Sequence, residues 1–256
     1  GKCKVYSPSG PCPQFADLVD EEGNQIAGAV EALDGVTVLG VPVGSAEYER
    51  SECAAAAAKL GGVLPAIAAE LTDTQTQLLL LRFCAHPRFG HLLRGVPSSS
   101  LLGRPAGGGA GAAVAHDLNV ERCLRRVLGQ TGPLSAQTVQ LSQQVGRWGG
   151  VGLTSAQRLC HAGWLGSWAL VWAPMTVLFP AVAQMLPFLG APEGTPLGDH
   201  PLADGFALSR AVLSRSRSFV ADKPDGYPLP PGARTVVDIG WAAYAQPRTK
   251  MQHQFS

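Results

Sequence analysis

Charge is scarce in this sequence. Asp, Glu, Lys and Arg make up 15% of 256 residues, and 20 Lys plus Arg against 19 Asp plus Glu leave a formal net charge of +1. Without a global basic field, contact with nucleic acid has to come from local patches. The six cysteines, Cys3, Cys12, Cys53, Cys84, Cys123 and Cys160, include no CxxC pair. Their scatter argues against a disulfide frame and for reduced thiols in an intracellular protein, nuclear or cytoplasmic. There is no GxSxG, no Walker A and no HExxH motif. GGGAG at 107–111 is not a phosphate cradle, because no strand precedes it and no Lys-Ser or Lys-Thr follows. The chain starts at Gly1 without a signal peptide and stops inside a polar run, so a portion of a longer protein is expected.

What the sequence does have is apolar bulk, 46% hydrophobic residues, enough for a sizeable core. The stretch 146–168, GRWGGVGLTSAQRLCHAGWLGSW, organises the rest. A tight turn at Gly149 and Gly150 leads into a helix that Thr154 or Ser155 can cap, since a hydroxyl there accepts from an orphan amide. Leu159, Ala162, Gly163, Leu165 and Gly166 then recur at helical spacing. Trp164, Trp168 and Trp172 stand four apart and form one aromatic stripe, with Trp164 and Trp168 expected in the core.

Before this helix the pattern changes once. Residues 1–7 have strand character, 8–35 are broken by Pro and Gly, and 36–43 are β-rich, which predicts a hairpin pairing roughly 3–7 with 36–41. The acidic cluster Asp17, Asp20, Glu21 and Glu22 fits a solvated loop face. From Glu47 the periodicity is helical. One helix over 47–60 is expected to end at Gly61 and Gly62, and a second covers 63–70. A third is capped by Thr72 and ends near Pro87, and RFGHLLRGVP makes a short fourth. The Ser/Gly-rich run 97–113 is the expected linker. Residues 114–129 form an amphipathic helix with Val114, Leu118, Cys123 or Arg122, Leu124, Val127 and Leu128 on its apolar side and Gly129 closing it. A further polar helix covers 134–145. The expected fold is therefore mainly α: a helical bundle with a short N-terminal β-hairpin, divided as 1–46, 47–96, 97–113 and 114–256.

Three further patterns suggest chemistry only weakly. Cys84, His86 and His91 lack zinc-site spacing and are expected as a buried thiol and two surface imidazoles. Residues 162–192 carry no charge, but Pro174, Pro180 and Pro187 divide them below the roughly 20 residues a span needs, so no stable membrane insertion is expected. Arg210, Arg215 and Arg217 lie on a short helix whose basic face has the pattern of a solvated surface.

Three motifs, in order along the chain, carry a resemblance. K-C-x-V-x-S is followed by a loop and V-L-G-V-P-V-G-S. Then comes L-x-D-x-Q with LLLR-x-C and HLLRG-x-P, and finally GG-V-GL-x-SA opens an apolar helix. Together they resemble the C-terminal portion, palm end, thumb and following helical region, of reverse transcriptases of the non-LTR retrotransposon type and their degenerate relatives. The resemblance implies that Lys2 is the family lysine that protonates the leaving pyrophosphate, with Lys4 as the alternative. It makes Leu39 and Gly40 the grip hairpin that leads into the thumb. It places Arg82, Arg88 and Arg94, and then Arg122, Arg125 and Arg126, against phosphates.

The family's catalytic aspartate pair would lie upstream of Lys2. The resemblance therefore implies a fragment with no catalytic residue and no cofactor of its own; Mg²⁺ belongs to the parent RNA-directed DNA polymerase. The implied partners are an RNA/DNA primer–template, bound weakly by this chain alone, and the upstream polymerase segment. The residues by themselves equally allow a helical scaffold or protein-interaction domain without a nucleic-acid role, and, as a lesser alternative, membrane association through 162–192.

Overall fold

The computed structural model describes residues 4–6, 30–144, 150–185 and 202–215. Lys2, the acidic cluster at 17–22, Gly149, residues 186–201 and Arg217 lie outside the described residues. The architecture is mainly α, with an antiparallel hairpin leading into a helical bundle, as the periodicity predicts. The strand pairing differs from expectation. β1 (Lys4–Val5) pairs in parallel with β2 (Val30–Glu31), not with residues 36–41. The hairpin forms instead between β3 (Gly35–Val38) and β4 (Val41–Gly44), with Val38 opposite Val41. Its two-residue turn, Leu39 at φ 51° and Gly40 at φ 82°, is left-handed at both positions. That backbone matches the right-handed twist of the flanking strands, and so short a loop closes at far less entropic cost than one of roughly thirty residues.

α1 (Ala46–Glu70) starts on Ser45, whose Oγ accepts from the Tyr48 amide at 3.2 Å. Glu47 and Glu49 in the first turn favour the helix dipole. The helix does not end at Gly61 and Gly62 as expected; it continues through both and through Pro65 to Glu70. Each interior glycine costs about 1 kcal/mol. Burial of the stripe Cys53, Ala57, Leu60 and Leu64 outweighs that, because the stripe packs along α5 (Ala112–Val127). Gly61 also leaves room for Asn119, which donates to the Ala57 carbonyl at 3.3 Å. By length and composition α1 is the one helix among the described residues long and apolar enough to cross a membrane.

α2 (Thr74–Leu80) is capped by Asp73 rather than Thr72: its carboxylate accepts from the Thr76 amide at 2.7 Å. A π-helical turn (Leu81–Ala85) and a 3₁₀ turn (His86–Phe89) follow, then α3 (Gly90–Gly95) and α4 (Ser98–Leu102). α4 falls inside the expected linker and corrects it. Leu101 is fully buried, the Ser100 hydroxyl donates to Glu49 at 2.5 Å, and Ser98 bonds Ser209 at 2.8 Å. An apolar anchor with satisfied hydroxyls gives this Ser-rich run a place in the bundle.

On α5 the buried face is Ala112, Ala113, His116, Val120, Cys123, Leu124 and Val127, so Cys123, Leu124 and Val127 are buried as expected, whereas Leu118 and Leu128 are exposed and His116 and Val120 take the inner positions. α6 (Ala136–Gln143) starts on Ser135. α7 (Ala156–Leu178) packs against α3, α5 and α9 (Ala203–Arg215), and α8 (Pro180–Met185) follows it. Of the two candidate caps, Ser155 is the one used, accepting from the Arg158 amide at 3.3 Å. α7 also runs through Pro174 rather than breaking there.

The tryptophan stripe is core at one end only. Trp164 is 1% exposed and lies tilted on Phe206, ring centroids 4.4 Å apart. Trp168 reaches the same ring at 6.0 Å but is only half-buried, as is Trp172. Replacing Trp164 with Ala is expected to cost about 3–5 kcal/mol, the range for deleting a core aromatic. Trp168→Ala is expected to cost clearly less, and equal losses in urea denaturation would contradict this gradient of burial.

Candidate functional site

Val41 of β4, the π-helical turn, α3 and the entry to α7 surround one cleft of about 720 Å³. Local sequence explains each wall. Leu81 and Ala85 of the π-helical turn are buried, whereas Arg82 and Phe83 line the cleft. Phe83 is 62% exposed, and the Arg82 guanidinium carbon lies 4.8 Å from its ring centroid. Gly152, at φ 83°, has Arg82 packed where a side chain would stand. A Cβ there would strain the backbone and push the guanidinium aside.

The opposite wall carries His91, Arg94, Gly95 and Val41. His91 Nδ1 pairs with the Arg88 carbonyl at 2.8 Å; a carbonyl only accepts, so the ring nitrogen donates. A Cβ on Gly40 would lie 3.5 Å from His91 Nε2, which sets the hairpin turn over this histidine. Leu39 at the tip is 97% exposed.

The floor is a polar chain inside an apolar shell. Thr154 Oγ1 meets His86 Nε2 at 3.2 Å, and His86 Nδ1 meets His116 Nε2 at 3.3 Å. Phe89 stacks on His116 at 4.6 Å with 9° between planes. His116 Nδ1 is buried without a hydrogen-bond partner. Burial, with the neighbouring His86 adding to it and Asp117 opposing, pushes the His116 imidazole down to about 4. Burial lowers His86 as well, again against Asp117. Both rings are therefore neutral at pH 7.

Asp117 sets the geometry of this floor. It reaches from α5 to the start of α7, where Oδ1 accepts from the Ala156 amide at 2.7 Å. Its Oδ2 accepts from the Ser155 hydroxyl at 2.6 Å and from Gln157 Nε2 at 3.1 Å. The carboxylate thus caps a helix of another segment and complements its dipole.

The expected residues separate into three groups. Arg82 and Arg94 line the cleft and Gly40 lies against its His91, whereas Leu39 is not among the lining residues; Arg88 is exposed on the same 3₁₀ segment that supplies Pro87 and Phe89. Arg122, Arg125 and Arg126 do not line it; they occupy the last turns of α5, where Arg122 donates to Asn119 at 3.3 Å. Lys4 lies on β1, in the other sheet.

The expected environment of the Cys84 group is corrected. Cys84 is exposed, not buried, and His86 is part of the floor rather than a surface imidazole. Among the described residues Cys53, Cys123 and Cys160 are the buried thiols, all pushed up chiefly by burial, Cys53 and Cys160 to about 12, which keeps them protonated and unreactive. Among the described residues no trio of His, Cys, Asp or Glu converges as a metal site.

His116, Asp117 and Phe83 stand in no motif, and Thr154 was expected only as a helix cap. His116 had a signal: it stands four residues before Val120 and eight before Leu124 on the buried face of α5. Asp117 had none, because its partners are about forty residues away.

The sign of the histidine effect is definite. Folded His116 titrates below its unfolded value near 6.5. Between pH 6.5 and 4 the unfolded chain holds the extra proton, so stability falls as pH falls through that window. The expected loss from this group is roughly 2–3 kcal/mol. His116→Gln should flatten the pH dependence of the unfolding midpoint between pH 6.5 and 4; an unchanged slope would contradict the assignment. Replacing Asp117 with Ala should cost about 2–3 kcal/mol, read by chemical denaturation, because the cap and its charged hydrogen bonds go with the carboxylate. Compared with known proteins, the chain matches no family model, no curated protein and no solved structure.

Proposed function

We propose that this chain is the palm-end and thumb-like portion of a reverse transcriptase of the non-LTR retrotransposon type, and that it grips primer–template nucleic acid without performing the polymerase chemistry itself. One observation carries the reading: Gly40, singled out by the motif order, lies against His91, a residue of the cleft that Arg82 and Arg94 also line. Cations beside an exposed apolar tip suit a phosphate backbone with its sugars and bases. The sequence contains no adjacent aspartate pair to hold two metal ions, so the Mg²⁺ centre is assigned to the upstream polymerase segment. Lys4, on β1, would lie toward that segment, and Lys2 keeps the role that the motif order implies. Arg122, Arg125 and Arg126 would extend the cationic track along α5.

Leu39 fits this role for a physical reason. A non-glycine residue in the left-handed region costs about 1–2 kcal/mol, and an exposed leucine there recovers nothing by burial. The second reading, a helical scaffold or protein-interaction domain, is favoured by the exposed apolar residues Leu170, Val171, Val177, Leu178 and Phe179 along the end of α7.

Fluorescence anisotropy on a short RNA–DNA hybrid separates the two. With a net charge of +1, affinity is expected within about 10⁻⁴–10⁻⁶ M at physiological salt, with a log–log salt slope near −0.9 per phosphate neutralised. Changing Arg82, Arg88 and Arg94 together to Gln should flatten the slope by about 0.9 for each phosphate no longer neutralised, with unchanged helical circular dichroism. The triple change at Arg122, Arg125 and Arg126 should have the smaller effect. No binding even at low salt would favour the scaffold.

A further inference from the structure

Resting on the nucleic-acid reading above, the cleft has features that a duplex-tracking surface does not need. Phe83 is a large aromatic that the core leaves 62% exposed, although burial of such a ring is worth about 1.5–3 kcal/mol. It is held outward by a π-helical turn, a rare element that recurs at functional sites. The wider turn puts the consecutive residues Arg82 and Phe83 on the same cleft wall while Leu81 and Ala85 stay buried.

Charge is one-sided there. Among the described residues, the titratable side chains lining the cleft are Arg82, Arg94, His86, His91 and His116, with no Asp or Glu among them. Asp117, which acts on the two floor histidines, has both oxygens bound at the start of α7. The volume, about 720 Å³, lies within the roughly 300–1,000 Å³ of small-ligand sites, a size that suits one nucleotide.

We infer that the cleft takes a single unpaired nucleotide, its base stacked on Phe83 and its phosphate against Arg82 and Arg94. Every base has a π-face, so such a platform holds a strand end or an overhang without regard to sequence. Gly152 keeps the Arg82 guanidinium beside the ring, where it contributes both charge and a flat stacking surface. The role of the cleft is then to recognise the end of a strand beside the gripped duplex.

The test compares a blunt RNA–DNA hybrid with the same hybrid carrying a one-nucleotide 3′ overhang of 2-aminopurine, by anisotropy and by quenching of the 2-aminopurine. The overhang is expected to bind about tenfold tighter, the value of one stacked base, with quenching on binding. Phe83→Leu, an exposed change that keeps helix propensity, should abolish both the tenfold preference and the quenching while leaving blunt-hybrid affinity in place. Arg82→Gln should weaken the overhang complex further. Equal binding of the two hybrids, with no effect of Phe83→Leu, would overturn this inference and leave the duplex-binding reading standing. Binding of neither hybrid at low salt would overturn both. Displacement by polyglutamate as effective as by unlabelled oligonucleotide would also overturn it, and would assign the cleft to an acidic protein partner.

Discussion

The Asp117 carboxylate holds this structure in register. It projects from the middle of α5 and meets the amide of Ala156, the hydroxyl of Ser155 and the side chain of Gln157 at the first turn of α7. A helix start leaves amides unsatisfied, and a buried unsatisfied amide costs about 1–3 kcal/mol. The carboxylate satisfies them from another segment, which ties the axial position of α7 to that of α5. Thr154 is then placed against His86, and Gly152 against Arg82. Trp164, further along α7, is delivered to Phe206 by the same constraint.

The cleft depends on that register and adds two local compromises. Leu39 stands in a left-handed turn with almost its whole side chain in water. Phe83 stands outward from a π-helical turn. Neither position helps the core: the bundle on either side is packed from Leu64, Leu81, Val120 and Leu124 in one cluster and from Leu60, Phe89, Leu92 and Leu101 in the other. Phe83 flanks the cations of the cleft above a floor of neutral histidines, and the proposed contact with bases and phosphates rests on that arrangement. The low net charge means that this surface acts at short range, since no broad field steers a ligand toward it.

The neutral histidine pair links stability to the site. His116 is held between Phe89 and His86 and can take a second proton only by placing a charge in an apolar shell. Protonation would disturb the floor on which Thr154 and the α7 entry rest. The same packing that keeps His116 neutral therefore also holds the cleft in shape.

Much was legible without tertiary structure. The switch from β-rich runs to helical spacing near Glu47, a hydroxyl cap at Thr154 or Ser155 and the Gly129 terminus follow from local chemistry: period, hydroxyl capping and the left-handed tolerance of glycine. The order of motifs that singled out Leu39, Gly40 and the arginines is also a property of the chain alone. Other features depended on contacts distant in sequence. Helix α1 crosses Gly61, Gly62 and Pro65 because α5 buries its stripe, and no local propensity announces that. The Ser-rich run at 98–102 became a helix because Leu101 found a core site. The face of α5, the partial burial of Trp168, and the meeting of Phe83, His116 and Thr154 at one cleft were likewise set by packing. Local sequence determines which conformations are cheap; which face is covered, and which side chains meet, is decided only when segments distant in the chain close on one another.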